Sequence, residues 1–172
     1  MSVVSRFRQG IRALTAFARP VDLDLAERTL SPELFALFKQ MRRTEQQHSL
    51  NVLRALQGWG YGDPALMVAA LLHDVGKSRY PLFLWDKVIV VLARSAAPNR
   101  VRAWGTGDPN TWRRPFVISA QHPTWSAAMV TAAGADPTAT TLIAIHQRYD
   151  YVPDDPSVAV LLKALQKADN LN

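Results

Sequence analysis

The sequence contains no cysteine. That absence excludes disulfides, thiolate zinc sites, cysteine-held iron–sulfur clusters and every mechanism that uses a cysteine nucleophile. Long apolar runs are also missing: stretches such as Val88 to Ala93 fall far short of the ~20 residues a membrane-spanning helix needs. Strand signals are scarce. The β-branched run Val88-Ile89-Val90-Val91 has no visible partner strand and its flanks read equally well as helix, so a helix is predicted there. At the start of the chain, arginines at 6, 8, 12 and 19 interrupt the apolar residues and deny it the core of a secretory signal, so a cytoplasmic protein is expected.

What is present fits one globular domain over residues 1 to 172. The chain is 48% apolar and 20% charged, and a domain of this length buries roughly 70% of the surface its unfolded chain exposes. Such a core needs no staple, so a bound metal would be functional rather than structural. Helix-start punctuation recurs at Ser31-Pro32, Asp63-Pro64, Asp136-Pro137 and Asp155-Pro156. Each pair sets an acceptor for an orphan backbone N–H before a proline whose φ already suits the first turn. Helices are predicted over 32–57, 64–74, 137–148 and 156–170, with a further one over 115–133 ended by Gly134. The predicted architecture is all-α, an irregular helical bundle, with 97–114 as its one long irregular loop.

Charge is concentrated in two places. Residues 1–20 carry four arginines and no acid, and residues 77–114 carry eight basic residues against Asp86 and Asp108. The segment 1–30 reads as basic and amphipathic, with Val3, Val4, Phe7, Ile11, Leu14 and Phe17 at helical spacing. Packing on the bundle is its expected role, ahead of docking on a membrane surface. The positive field suits an anionic partner; a nucleic acid would fit it, but no recognised reading motif accompanies it.

All four histidines fall into one pattern with two aspartates: His48, the adjacent pair His73-Asp74, His122, His146 and Asp169. The intervals from 48 to 73, 122 to 146 and 146 to 169 each correspond to about one helix plus one turn. Helices running up and down at such intervals return to one level of a bundle, where facing side chains can share a metal ion. Imidazole with carboxylate suits iron, manganese or zinc, and six such ligands are the natural number for two ions sharing a bridge. An adjacent His-Asp pair points two ways on a helix unless the backbone turns there, and Gly76 is placed to permit that turn.

The string Leu71-Leu72-His73-Asp74-Val75-Gly76-Lys77 resembles the signature of the HD superfamily of metal-dependent phosphohydrolases. The order H, HD, H, H, D resembles its dinuclear branch, over about residues 44–172. The resemblance implies an HD-type helical bundle and two divalent transition-metal ions, Fe or Mn first, with Zn, Ni or Mg also compatible. One ion would be held by His48, His73, Asp74 and Asp169, and a second by Asp74, His122 and His146, with His122 opening a later helix. A metal-activated hydroxide would attack the phosphorus of a nucleotide or other small phosphate ester, a monoester or a diester. Asp74 and Lys77 are the candidate catalytic residues, Lys77 and Arg148 the candidate contacts to substrate phosphate, and Glu45 is placed to orient His48.

The pattern is similar to that of the HD-type diadenosine tetraphosphate hydrolases, although the interval from 73 to 122 is much longer here. It differs from HD-GYP domains, because Gln147 stands where their second histidine would be and no glycine precedes Tyr151. The extra residues, 78–114, include Trp85, Trp104 and Trp112 among arginines and are expected to form a basic cap over the metal pocket. Two other functions compete. An HD-fold diiron oxygenase would use the same ligand order, but Lys77 occupies the position of a histidine in its phosphonate-cleaving members. A non-catalytic nucleotide-binding HD module would have lost ligands, and this chain keeps all six.

Overall fold

A computed structural model describes residues 20–80 and 84–172 of the chain. The basic stretch at 1–19 lies outside the described residues, so the predicted amphipathic helix there is not addressed. Among the described residues the protein is all-α: nine α-helices and a 3-10 helix, with no strand. They are α1 (Leu23–Thr29), α2 (Pro32–Gln40), α3 (Arg43–Gly58), α4 (Pro64–Leu72), the 3-10 helix Val75–Arg79, α5 (Leu84–Ala96), α6 (Pro98–Trp104), α7 (Arg114–Ala132), α8 (Pro137–Ile145) and α9 (Pro156–Leu171). None of them is long and apolar enough to cross a membrane.

The four predicted helix starts occur where the punctuation sets them. Ser31, Asp63, Asp136 and Asp155 each accept a hydrogen bond from a backbone N–H two or three residues on, and a proline follows each one. Gly134 ends α7 with φ +80°, a conformation other residues rarely adopt. Three expectations need correction. The predicted helix 32–57 is two helices, broken at Met41-Arg42, where Gln46 Nε2 donates to the Phe38 carbonyl and stabilises the corner. The predicted loop 97–114 contains α6. His122 does not open a helix but sits in the middle of α7, followed by Pro123.

The sequence of α4, Pro-Ala-Leu-Met-Val-Ala-Ala-Leu-Leu, is apolar on every face, and a helix of that kind must be surrounded. It is. Leu66, Ala69, Ala70, Leu71 and Leu72 are fully buried, with α1, α2, α3, α8 and α9 packed around them. The C-terminal end of α4 therefore delivers His73 and Asp74 into the interior of the bundle. The 3-10 helix that follows packs against α7. Gly76 is required there by close approach rather than by backbone conformation: a Cβ at this position would lie 2.5 Å from the His122 carbonyl oxygen and 2.7 Å from the Ser126 nitrogen. In its absence Gly76 N–H donates to Ser126 Oγ at 2.8 Å, fixing the turn to α7.

Candidate metal centre

Five elements bring the six predicted ligands together. His48 comes from the second turn of α3, His73 and Asp74 from the end of α4, His122 from mid-α7, His146 from the residue after α8, and Asp169 from the last turn of α9. Their donor atoms form three overlapping sets, each within 4.8 Å: His48, His73 and Asp74; His73, His146 and Asp169; Asp74, His122 and His146. His73, Asp74, His122 and His146 are buried, while His48 and Asp169 sit at the edge. Asp74 has φ −101° and ψ 0°, the bridge region, so the backbone leaves the helix there and its carboxylate turns to the same point as the His73 ring.

Three of the four imidazoles are aimed by their own helices. His73 Nδ1 donates to the Ala70 carbonyl at 3.1 Å, His122 Nδ1 to Ile118 at 2.9 Å and His146 Nδ1 to Ile143 at 2.7 Å. With Nδ1 protonated by these bonds, the Nε2 lone pairs face inward, as in a metal-ligating imidazole. Nε2 of His73 and of His146 has no hydrogen-bond partner in the buried interior. His122 Nε2 lies 3.2 Å from Asp74 Oδ1, and His73 Nε2 lies 3.7 Å from Asp74 Oδ2 and 3.6 Å from Asp169 Oδ1.

Burial, with His73 and His122 alongside, pushes His146 down to about 3. Burial and the Lys77 charge push His122 down as well, against the pull of Asp74. Both rings are then neutral at neutral pH, and a neutral ring that presents a lone pair to a carboxylate oxygen is favourable only with a cation between them. Burial opposes charge on the carboxylates, but Lys77 and the His73 and His122 rings hold Asp74 well below its ordinary value. His48 and His73 do the same for Asp169. Burial also opposes a charged His73, yet the charges of Asp74 and Asp169 raise it. Inward lone pairs and persistent carboxylates of this kind fit a divalent metal ion.

A cavity of about 240 Å³ opens onto this cluster, lined by Thr44, Glu45, His48, Asp74, Lys77, Gln147 and Asp169. Lys77 Nζ donates to Asp74 Oδ2 at 2.6 Å, with 20% of its side chain exposed to the cavity side. Burial disfavours its charge, but Asp74 more than offsets that, and Lys77 is raised above the ordinary lysine value. Glu45 is buried and lines the same cavity.

Other predicted contacts lie elsewhere. Arg148 is exposed, with its guanidinium 4.4 Å above the Tyr151 ring, and is not part of the cavity wall. The reason is that α8 ends at Ile145, so the chain is already turning outward two residues past His146. Of the expected cap, the described residues Arg79, Trp104, Trp112 and Arg114 do not line this cavity. Arg79 stacks on Trp125, and Trp104, Trp112 and Arg114 line a separate, larger opening between α5 and the start of α7. Besides Thr44, the cavity residue that sequence reasoning missed is Gln147. Its Nε2 lies 3.4 Å from His122 Nε2, and an uncharged amide carries no ligand or charge signal that would mark it.

In comparisons with known proteins, the chain matches no family model, no curated protein and no solved structure. The geometry itself defines the class: an all-α protein with a buried His/Asp cluster able to hold metal.

Proposed function

We propose that the protein is an HD-type metal-dependent phosphohydrolase acting on a nucleotide or another small phosphate ester. The observation that carries this reading is the position of Lys77: an ammonium 2.6 Å from Asp74, lining the same cavity as the metal-ligating side chains. A cationic donor fixed beside a divalent centre is suited to a phosphoryl group, whose charge grows during transfer.

His48, His73, Asp74 and Asp169 would hold one ion, with Asp74 shared with a second held by His122 and His146. The bound ions, Fe or Mn by preference, would supply Lewis acidity and a water of lowered pKa. The chain's own contribution is positional. Asp74 keeps Lys77 protonated and restrains its Nζ at the cavity wall. The Gln147 amide and the Thr44 hydroxyl offer further hydrogen bonds to phosphate oxygens. The buried rings of His73, His122 and His146 exclude water from the inner side, leaving the cavity as the approach. A cytoplasmic location accords with such a substrate.

The test is phosphate release from a panel of nucleoside mono-, di- and triphosphates, dinucleotides and simple esters, with Mn²⁺ or Fe²⁺ supplied. Metal-dependent release from at least one member, lost in Asp74→Ala, is expected. Stoichiometric metal binding with no release from any of them would overturn the reading.

A further inference from the structure

Helix α5 carries its apolar residues on the side away from the protein. At 100° per residue, Trp85, Val88, Ile89 and Leu92 form one stripe, while Val90 lies about 140° around from Trp85. The structure buries Val90, on the flank from which Arg94 donates to Ser119 of α7. It leaves the stripe open, with Trp85 74%, Ile89 48% and Leu92 64% exposed, and Val91 beside it 53% exposed. Ile89 and Ala93 also form one wall of the larger cavity, about 750 Å³, whose other walls include Trp104, Trp112 and Phe116. Trp112 is itself 65% exposed. The exposed apolar surface thus continues from α5 across the cavity mouth.

Arginines accompany this surface: Arg113 rests over the Trp112 ring, Arg114 lines the cavity, and Arg100 and Arg102 are exposed on α6, whereas Lys77, Arg79 and Arg94 face Asp74, Trp125 and Ser119. From the combination we propose that the α5 face docks on an anionic lipid surface, with the stripe and Trp112 entering the interfacial layer and the surrounding arginines meeting the headgroups. Exposed tryptophan with branched aliphatics and flanking positive charge is the composition of an interfacial helix. At 13 residues α5 lies on such a surface and does not cross it.

The same observations disfavour other occupants. A second copy would bring Arg113 and Arg114 beside the same arginines of its partner, and residues 1–19, with four arginines and no acid, carry charge of the same sign. Val88, Ile89, Val91 and Leu92 can neither stack on a base nor hydrogen-bond to one, which disfavours a nucleic acid.

The test is co-sedimentation of the full-length chain with vesicles of phosphatidylcholine alone and of equimolar phosphatidylcholine and phosphatidylglycerol. Binding to the mixed vesicles only, weakened by added salt, is expected. Trp85→Ser/Leu92→Ser should lower the partition coefficient by about tenfold or more, with far-UV circular dichroism and metal content unchanged. Absence of binding to the mixed vesicles overturns the proposal, as does equal binding by the double variant. Three further results also overturn it: binding lost on replacing Arg6, Arg8, Arg12 and Arg19 by glutamine but not in the double variant; a dimer that the double variant dissociates; and binding of an oligonucleotide that the double variant abolishes.

Discussion

The two halves of this molecule use apolar residues in opposite ways. Around α4 nearly every aliphatic side chain is enclosed, and one contiguous core runs through α1 to α4 and on into α7, α8 and α9. Between Leu84 and Arg113, Val90 is the one apolar side chain buried among those described, although the segment is as rich in Val, Leu and Trp. Apolar content therefore does not by itself make core. The α4 region is closed because its helices carry matched faces packed on every side of α4, whereas the segment 84–113 touches the body along one edge of α5 and α6.

The sharpest way to break this comparison is to remove a ligand from the closed half. Asp74→Ala takes away a carboxylate shared by two of the three ligand sets and the partner of Lys77. Metal content by elemental analysis should collapse and phosphate release should fall to background. The next largest effect separates the halves by stability. Leu72→Ala should cost about 2–5 kcal/mol in urea unfolding, while Leu92→Ala should stay within about 0.5 kcal/mol. Equal costs would mean that α5 is enclosed in solution.

Lys77→Ala tests the cavity rather than the core. Turnover should drop about a hundredfold with metal content retained, and unchanged kinetics would make Lys77 only a structural partner of Asp74.

A smaller effect appears with pH in chelated protein. The His146 value of about 3 lies below the ordinary 6.5, so the unfolded chain binds the additional proton between those limits. Stability is then lost as pH falls from about 6.5 toward 3, by at most about 1.4 kcal/mol per unit from this residue. His73 is raised and acts in the opposite sense: its contribution is present below 6.5 and is lost as pH rises through its folded value. Urea midpoints on the acid side should flatten in His146→Gln. The smallest effect expected is that of Arg148→Ala, which should leave turnover within about twofold, because the guanidinium rests on Tyr151 outside the cavity.

The class of the fold and the meeting of six His and Asp side chains were legible because both are written in local signals. An Asp or Ser before proline caps a helix whatever surrounds it, and a histidine that recurs once per helix-and-turn reads out the level of a bundle. What was not legible depends on contacts between distant residues. The break at Met41-Arg42 has neither glycine nor proline, and it rests on Gln46 reaching back to the Phe38 carbonyl. Gly76 looked like a turn residue and proved to be a point of contact with α7, whose Ser126 lies 50 residues further along the chain. The position of Arg148 outside the cavity wall was not legible because adjacency to His146 in sequence says nothing of the exit direction after α8. Gln147, the neighbour that does face the cavity, has no charge to advertise it. The direction in which residues 78–114 face was not legible for a related reason: tryptophans and arginines mark a binding surface without saying which way it faces.

The hydrogen bonds from His73, His122 and His146 to carbonyls three or four residues earlier on the same helices have a consequence for how the centre would fill. Each ring is oriented by local backbone, so the rotamer freedom of these side chains is lost during folding and not when an ion arrives. Binding then carries little ordering cost, and chelation should leave the helices standing, unlike small zinc domains that unfold without their metal. A socket of this kind exchanges ions without rebuilding itself. Because nitrogen and oxygen donors alone rank the first-row metals by intrinsic affinity, the ion that occupies it would be decided chiefly by which metals the surroundings supply.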